Sequence, residues 1–230
     1  MLSGYLRQTV YCDCEHPDIR AKTRELEEKN ETETAINVWE FISLIPYRFD
    51  FWNIKASETL AKWRGMCTNK ANLQIALLRA AGIPAAYGIM KIRKSALLDV
   101  SDQEFYEKIS PVTTHIFAYV YLNGEWIATD ATRDRTLEGD IPPNPLDNRA
   151  YPWNGKTHYK KSPDYVVSEQ PFSPNIDQKL EVKPRFLTPE VLENINNHID
   201  RMQERRNNEK GQCNKKKSAH HCGQHMDKDR

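Results

Sequence analysis

Long apolar runs are missing from these 230 residues. No stretch of eighteen apolar side chains occurs, so nothing in the sequence reads as a bilayer-spanning helix. A charge excess of either sign is missing too. The 33 basic and 32 acidic residues leave a formal net charge of +1, so no global field exists to hold nucleic acid or an anionic membrane. Glycine is scarce, at 9 residues without a period, which excludes fibrous classes. Cysteine is scarce as well: Cys12, Cys14, Cys67, Cys213 and Cys222 form an odd, thinly spread set that does not read as a disulfide framework. Met1 to Arg7 lacks the apolar core of a signal peptide, so a cytoplasmic location is the expectation.

What is present is ordinary globular material. The chain is 39% hydrophobic and 10% aromatic, enough for one sizeable core. Pro17 opens a charged helical segment. A second helix follows near Glu33, where Ala35, Val38, Trp39, Ile42 and Ile45 recur at spacings of three and four until Pro46. Ser57 is the expected cap of a short helix through Trp63. After Gly65-Met66-Cys67, residues Asn69 to Ala81 read as a helix with almost no polar face, ended by Gly82, and Ile83 to Met90 read as a strand.

Lys91 to Pro111 is a charged insertion. Thr188-Pro189 starts a last helix with Val191, Leu192, Ile195, Ile199 and Met202 on one face. The expected organisation is one domain over 1–202, with core motifs in 58–132, a proline-rich wrap over 133–187 and a terminal helix over 189–202. A charged, disordered tail over 203–230 completes it.

Cys67 is placed at a helix N-terminus, where free N–H groups and the helix dipole favour the thiolate. A buried, inert cysteine is the plainer reading of any one such residue. The hairpin changes this. Asn123-Gly124 between two β-rich runs is a strong two-residue turn signal, and it pairs Leu122 with Glu125. Counting back opposes Phe117 to Asp130 and His115 to Thr132. His115 and Asp130 then share a face as diagonal neighbours, with Cβ atoms roughly 7–8 Å apart or a little less. A slip of one residue would send them to opposite faces. Nucleophile, base and an orienter for the base are thus all available. The Cys67 N–H is a natural oxyanion donor, and Trp52 and Trp63 are upstream indoles able to supply a second, though each is also ordinary core material.

Gly65-Met66-Cys67-Thr68-Asn69-Lys70-Ala71, with Leu77-Leu78-Arg79-Ala80-Ala81-Gly82-Ile83-Pro84-Ala85, resembles the core of the transglutaminase-like superfamily. So does His115 to Trp126, followed by Asp130-Ala131-Thr132. The chain departs from that pattern at Ala86, where Arg is frequent, and at Ile116-Phe117, where an aromatic often follows the His directly. The resemblance implies an α+β, papain-like transglutaminase-core fold: N-terminal helices, with a nucleophile-bearing helix packed on an antiparallel sheet. It implies Cys67, His115 and Asp130 as catalytic residues and acyl transfer through a thioester. The substrate would be a peptide or protein amide and the acceptor water or an amine, with no cofactor or metal.

A hydrolase is the leading expectation. The alternatives are a silent binding module on the same fold, and a metal-binding protein using Cys213, His220, His221, Cys222 and His225. The spacing of that tail set matches no strong zinc pattern. Lys215-Lys216-Lys217 has no interleaved aromatics to stack bases, so nucleic acid is not an expected partner.

Overall fold

Helices begin where the sequence offers a proline or a polar cap. In the computed structural model, which describes residues 2–132, 153–182 and 185–223, Pro17 opens α1 (Pro17–Leu26). The Asn30 side chain caps α2 (Glu31–Leu44), its Oδ1 accepting from the Glu33 N–H at 2.9 Å. The next helix, α3 (Ala56–Lys62), starts differently from the expectation: Ser57 lies inside its first turn rather than capping it. The Ser57 hydroxyl donates to Asp13 Oδ2 at 2.5 Å and its N–H to Asp13 Oδ1 at 3.0 Å. A carboxylate from a distant segment thus takes up the donors that a local cap would have served.

The central helix is α4 (Cys67–Ala80), on which every residue from Thr68 to Arg79 is buried. Several of its polar members find partners of long reach. Lys70 Nζ donates to the Ile45 carbonyl at 2.6 Å, and Asn72 links the Tyr11 carbonyl to the Tyr87 hydroxyl. Arg79 donates to the carbonyls of Arg7 (2.7 Å), Ala85 (2.9 Å) and Pro174 (2.6 Å), tying three separate segments to the end of α4.

Four antiparallel strands make one sheet in the order β3-β2-β1-β4: β1 (Ala85–Arg93), β2 (Val112–Leu122), β3 (Glu125–Thr129) and β4 (Val166–Ser173). Asn123 (φ 53°) and Gly124 (φ 92°) both take positive φ, the mark of the type I′ turn that matches strand twist. Leu122 pairs with Glu125 and Ala118 with Thr129, as the turn dictates. β1 runs past Met90 to Arg93 because Lys91, Ile92 and Arg93 pair with Thr114, Thr113 and Val112. The rest of the insertion is a 3-10 turn (Lys94–Val100) and α5 (Gln103–Lys108), capped by Asp102.

β4 and α6 (Asp177–Leu180) arise within the proline-rich stretch, of which residues 133–152 and 183–184 lie outside the described part. The last helix, α7 (Pro189–Gly223), starts at the expected proline and continues past Met202. The residues beyond that point are rich in Arg, Lys, Glu and Gln, strong intrinsic helix formers that need no apolar face.

Two packed regions matter for function. One lies between α4 and the sheet face carrying Ile116, Ala118, Val120 and Leu122, and is mainly aliphatic. The other is aromatic-rich: residues 47–52, the insertion and α7 meet there through Tyr47, Phe49, Phe105, Leu192 and Ile195.

Candidate active site

The approach to Cys67 is pinned on both sides. The Gly65 N–H donates to the Pro46 carbonyl at 3.3 Å and its own carbonyl accepts from Arg48 at 3.2 Å, a short parallel bridge. A Cβ on Gly65 would sit 2.7 Å from the Asn69 Cβ, so only glycine lets the chain turn into α4 this closely. Asn69 then works twice. Its Oδ1 accepts from the Met66 N–H at 3.1 Å, and its Nδ2 donates to the Phe51 carbonyl at 2.9 Å. Cys67 is therefore the first residue of α4, partly exposed, with its own N–H in the first turn, where no acceptor exists within the helix.

His115 and Asp130 come from the hairpin. Continuing the β2–β3 register places Asp130 opposite Phe117, and the diagonal contact forms: His115 Nε2 and Asp130 Oδ2 are 2.7 Å apart, both side chains buried. The other carboxylate oxygen accepts from the Thr132 N–H at 2.8 Å. Phe117 stacks on the imidazole, with ring centroids 6.2 Å apart and planes within 13°. That ring fills the space over Gly88, where a Cβ would lie 2.3 Å from it. The opposite side of His115 faces Cys67, whose sulfur is close enough to be influenced by the imidazole and the Ile116 N–H. With Nε2 committed to Asp130, Nδ1 is the nitrogen left for the sulfur.

Burial pushes the Cys67 thiol up, but the hydrogen bond and charge of His115, with the Ile116 N–H, outweigh it and leave the thiol below its ordinary value. Burial alone would lower His115. The adjacent Asp130 carboxylate and the sulfur instead raise it to about 10. Burial would raise Asp130, yet the imidazolium and the Thr132 contacts hold it at about 2. All three directions agree on a thiolate–imidazolium pair backed by a carboxylate.

Residues 20–131 match the family model of the transglutaminase-like superfamily. Those residues carry a transglutaminase-like core. The match ends one residue beyond Asp130 and leaves β4, α6 and α7 outside it. No curated protein matches the sequence. Among solved structures, a candidate cysteine protease of Cytophaga hutchinsonii is 24% identical, with a TM-score of 0.44 over 60% of this chain and 44% of that one. A candidate protease of Parabacteroides distasonis is 13% identical, with a TM-score of 0.37 over 57% of this chain and 25% of that one. The chain thus spans less than half the length of either.

The transglutaminase-like core brings Cys67, His115 and Asp130 together, and the hairpin register accounts for the pairing of the last two. The two indoles separate. Trp63, left-handed at φ 50° and 44% exposed, packs edge-on against Phe41 on the surface. Trp52 follows Phe51, whose carbonyl is held by Asn69, and packs in the same apolar cluster as Cys67. Its Nε1 is buried with no acceptor among the described residues. Two contributors were not anticipated: the Thr132 N–H, for which an Asp two residues earlier is the available turn signal, and the Ile116 N–H, which carries no side-chain signature.

Cys12 and Cys14 are buried free thiols. Among the described residues no group of three or more His, Cys, Asp or Glu is placed to hold a metal ion. The tail set Cys213, His220, His221, Cys222 and His225 has its side chains outside the described part. No described helix is long and apolar enough to cross a membrane.

Proposed function

We propose that the protein is a cysteine-dependent hydrolase that cleaves amide or peptide bonds through a thioester, with Cys67 as nucleophile, His115 as acid and base, and Asp130 as orienter. One observation carries this reading: a thiol at the start of α4 beside an imidazole whose Nε2 is held by a buried carboxylate at 2.7 Å. The family match supports it at the level of a cysteine hydrolase-type activity.

The Cys67 thiolate attacks the scissile carbonyl carbon, and the carbonyl oxygen takes the negative charge. That oxygen meets the Cys67 N–H, a first-turn donor on the positive end of α4, and the Trp52 indole N–H, which has no other acceptor among the described residues. His115 gives its proton to the leaving nitrogen, and the C–N bond breaks to leave a thioester. Water then adds to the thioester carbon while His115 takes its proton. The tetrahedral adduct collapses, expelling the thiolate and a carboxylic acid. Asp130 fixes the imidazole tautomer throughout and stabilises its charged form.

The test is iodoacetamide labelling of the native protein from pH 5 to 9, with each cysteine mapped by peptide mass spectrometry and His115→Ala run alongside. Fast alkylation of Cys67 near pH 6 that slows in His115→Ala is the expected result. A Cys67 that reacts no faster than the tail thiols would remove the nucleophile from the scheme.

A further inference from the structure

Cys67 is partly exposed, with the Thr68 hydroxyl oxygen 4.0 Å from its sulfur. Its side chain packs against the aromatic-rich cluster. The rim of that cluster consists of half-buried apolar side chains from three separate pieces of chain: Phe51 and Trp52, Leu97 and Tyr106 of the insertion, and Phe186 and Val191 leading into α7. Its floor is rigid. Phe105 lies 4.6 Å from Phe49 in a tilted contact and 6.1 Å from Phe186 in an edge-on one, ring centre to ring centre. Asn196 of α7 locks the strip beneath by accepting from the Phe49 N–H at 2.8 Å and donating to its carbonyl at 2.9 Å.

Three cations near this cluster have partners. Lys62 pairs with Asp50, Arg48 with Asp200, and Lys94 donates to the Tyr106 carbonyl while lying over that ring. The substrate's acyl portion is the part that becomes bonded to Sγ, so the side chains around Sγ are the ones it must meet. A glutamine carboxamide brought there would need both donors and acceptors. The rim offers it little beyond the Tyr106 hydroxyl and an indole N–H assigned to the oxyanion. An apolar group would gain from the same surface.

We infer that the rim beside Cys67 is an acyl-side recognition surface, selecting substrates whose acyl portion bears a bulky aromatic or branched aliphatic side chain over glutaminyl or charged ones. This rests on the catalytic reading of Cys67. Part of the rim, Phe186 and Val191, lies beyond the family-matched region, so the preference belongs partly to this chain's own additions.

The experiment uses the full chain and four N-acetyl aminoacyl chloromethyl ketones: phenylalanyl, leucyl, glutaminyl and glutamyl. In each, the thiolate sulfur displaces chloride from the methylene carbon; one C–S bond forms, one C–Cl bond breaks, and chloride leaves with the electron pair. Each rate at Cys67 is divided by that of iodoacetamide, which is too small to use the rim. The phenylalanyl and leucyl probes should react at least about tenfold faster than the other two on this normalised scale. Leu97→Glu and Val191→Lys, on separate elements, should each shrink that ratio several-fold.

Equal normalised rates in the wild type, a glutaminyl preference, or a preference that survives in both variants would each overturn the inference. If iodoacetamide itself fails to label Cys67 in the folded protein, the catalytic reading falls and the recognition surface falls with it.

Discussion

Each end of α4 has a cysteine beside a cationic side chain, and the two thiols are driven in opposite directions. At the N-terminal end Cys67 lies against His115 and is held below its ordinary value. At the C-terminal end the Cys12 sulfur lies 3.7 Å from Arg79 Nη1, yet burial pushes this thiol up to about 12 against the guanidinium charge. The difference is in what else each cation does. Arg79 divides its donors among three carbonyls and the Cys12 sulfur and keeps its proton, whereas His115 has one nitrogen anchored by Asp130 and the other available to exchange a proton with sulfur. Proximity to positive charge does not make a nucleophile. A hydrogen bond from a group that can give up its proton, at a helix start with some access to solvent, does.

The widest gap between the ends should appear on deleting each thiol. Cys67→Ala is expected to lower kcat/KM on a peptide amide by on the order of 10⁵–10⁶-fold. Cys12→Ala should stay within about threefold of wild type on the same substrate, its cost appearing as a cavity in denaturant unfolding. Asp130→Asn tests the anchor rather than the nucleophile, and should cost roughly 10³–10⁴-fold in kcat because the imidazole loses its enforced tautomer. A loss as large as that of Cys67→Ala would mean that Asp130 also holds the fold.

Arg79→Met strikes the other end. It strands three carbonyl acceptors and should reduce unfolding free energy by about 3–5 kcal/mol in urea titration, while the alkylation rate of folded Cys67 stays at the wild-type value. A matching drop in that rate would show that the two ends are coupled along the helix.

The smallest effect is graded, in pH. Activity requires thiolate with imidazolium, so it should fall about tenfold per unit as pH drops below the lowered Cys67 value. It should fall again as pH rises towards about 10, where His115 loses its proton. Cys12, with its raised value, should stay unlabelled by iodoacetamide at pH 9 until denaturant is added.

Much of the Cys67 end was legible in the sequence, for a geometric reason. A two-residue turn at Asn123-Gly124 leaves one register, and that register alone decides that His115 and Asp130 share a face. Helix starts at Pro17 and Pro189 were equally readable, because a proline's fixed φ acts locally. The Arg79 end was not legible. Its acceptors are backbone carbonyls of Arg7, Ala85 and Pro174, and a carbonyl leaves no mark in the sequence. β4 escaped notice because an edge strand with an exposed stretch and a proline lacks the alternation that marks a half-buried strand. Ser57 was misjudged as a cap because Asp13, 44 residues away, bonds it.

The Arg79 clamp also bears on how the protein can be cut down. The family-matched stretch, residues 20–131, contains Arg79 but only one of its three carbonyl partners; Arg7 precedes the stretch and Pro174 follows it. A fragment trimmed to those borders would carry the whole Cys–His–Asp line while exposing a guanidinium built for a dry interior. Anyone seeking a minimal folded piece should therefore retain the segment that carries Arg7 and the strand β4 that leads to Pro174, and place tags or fusion joints outside them.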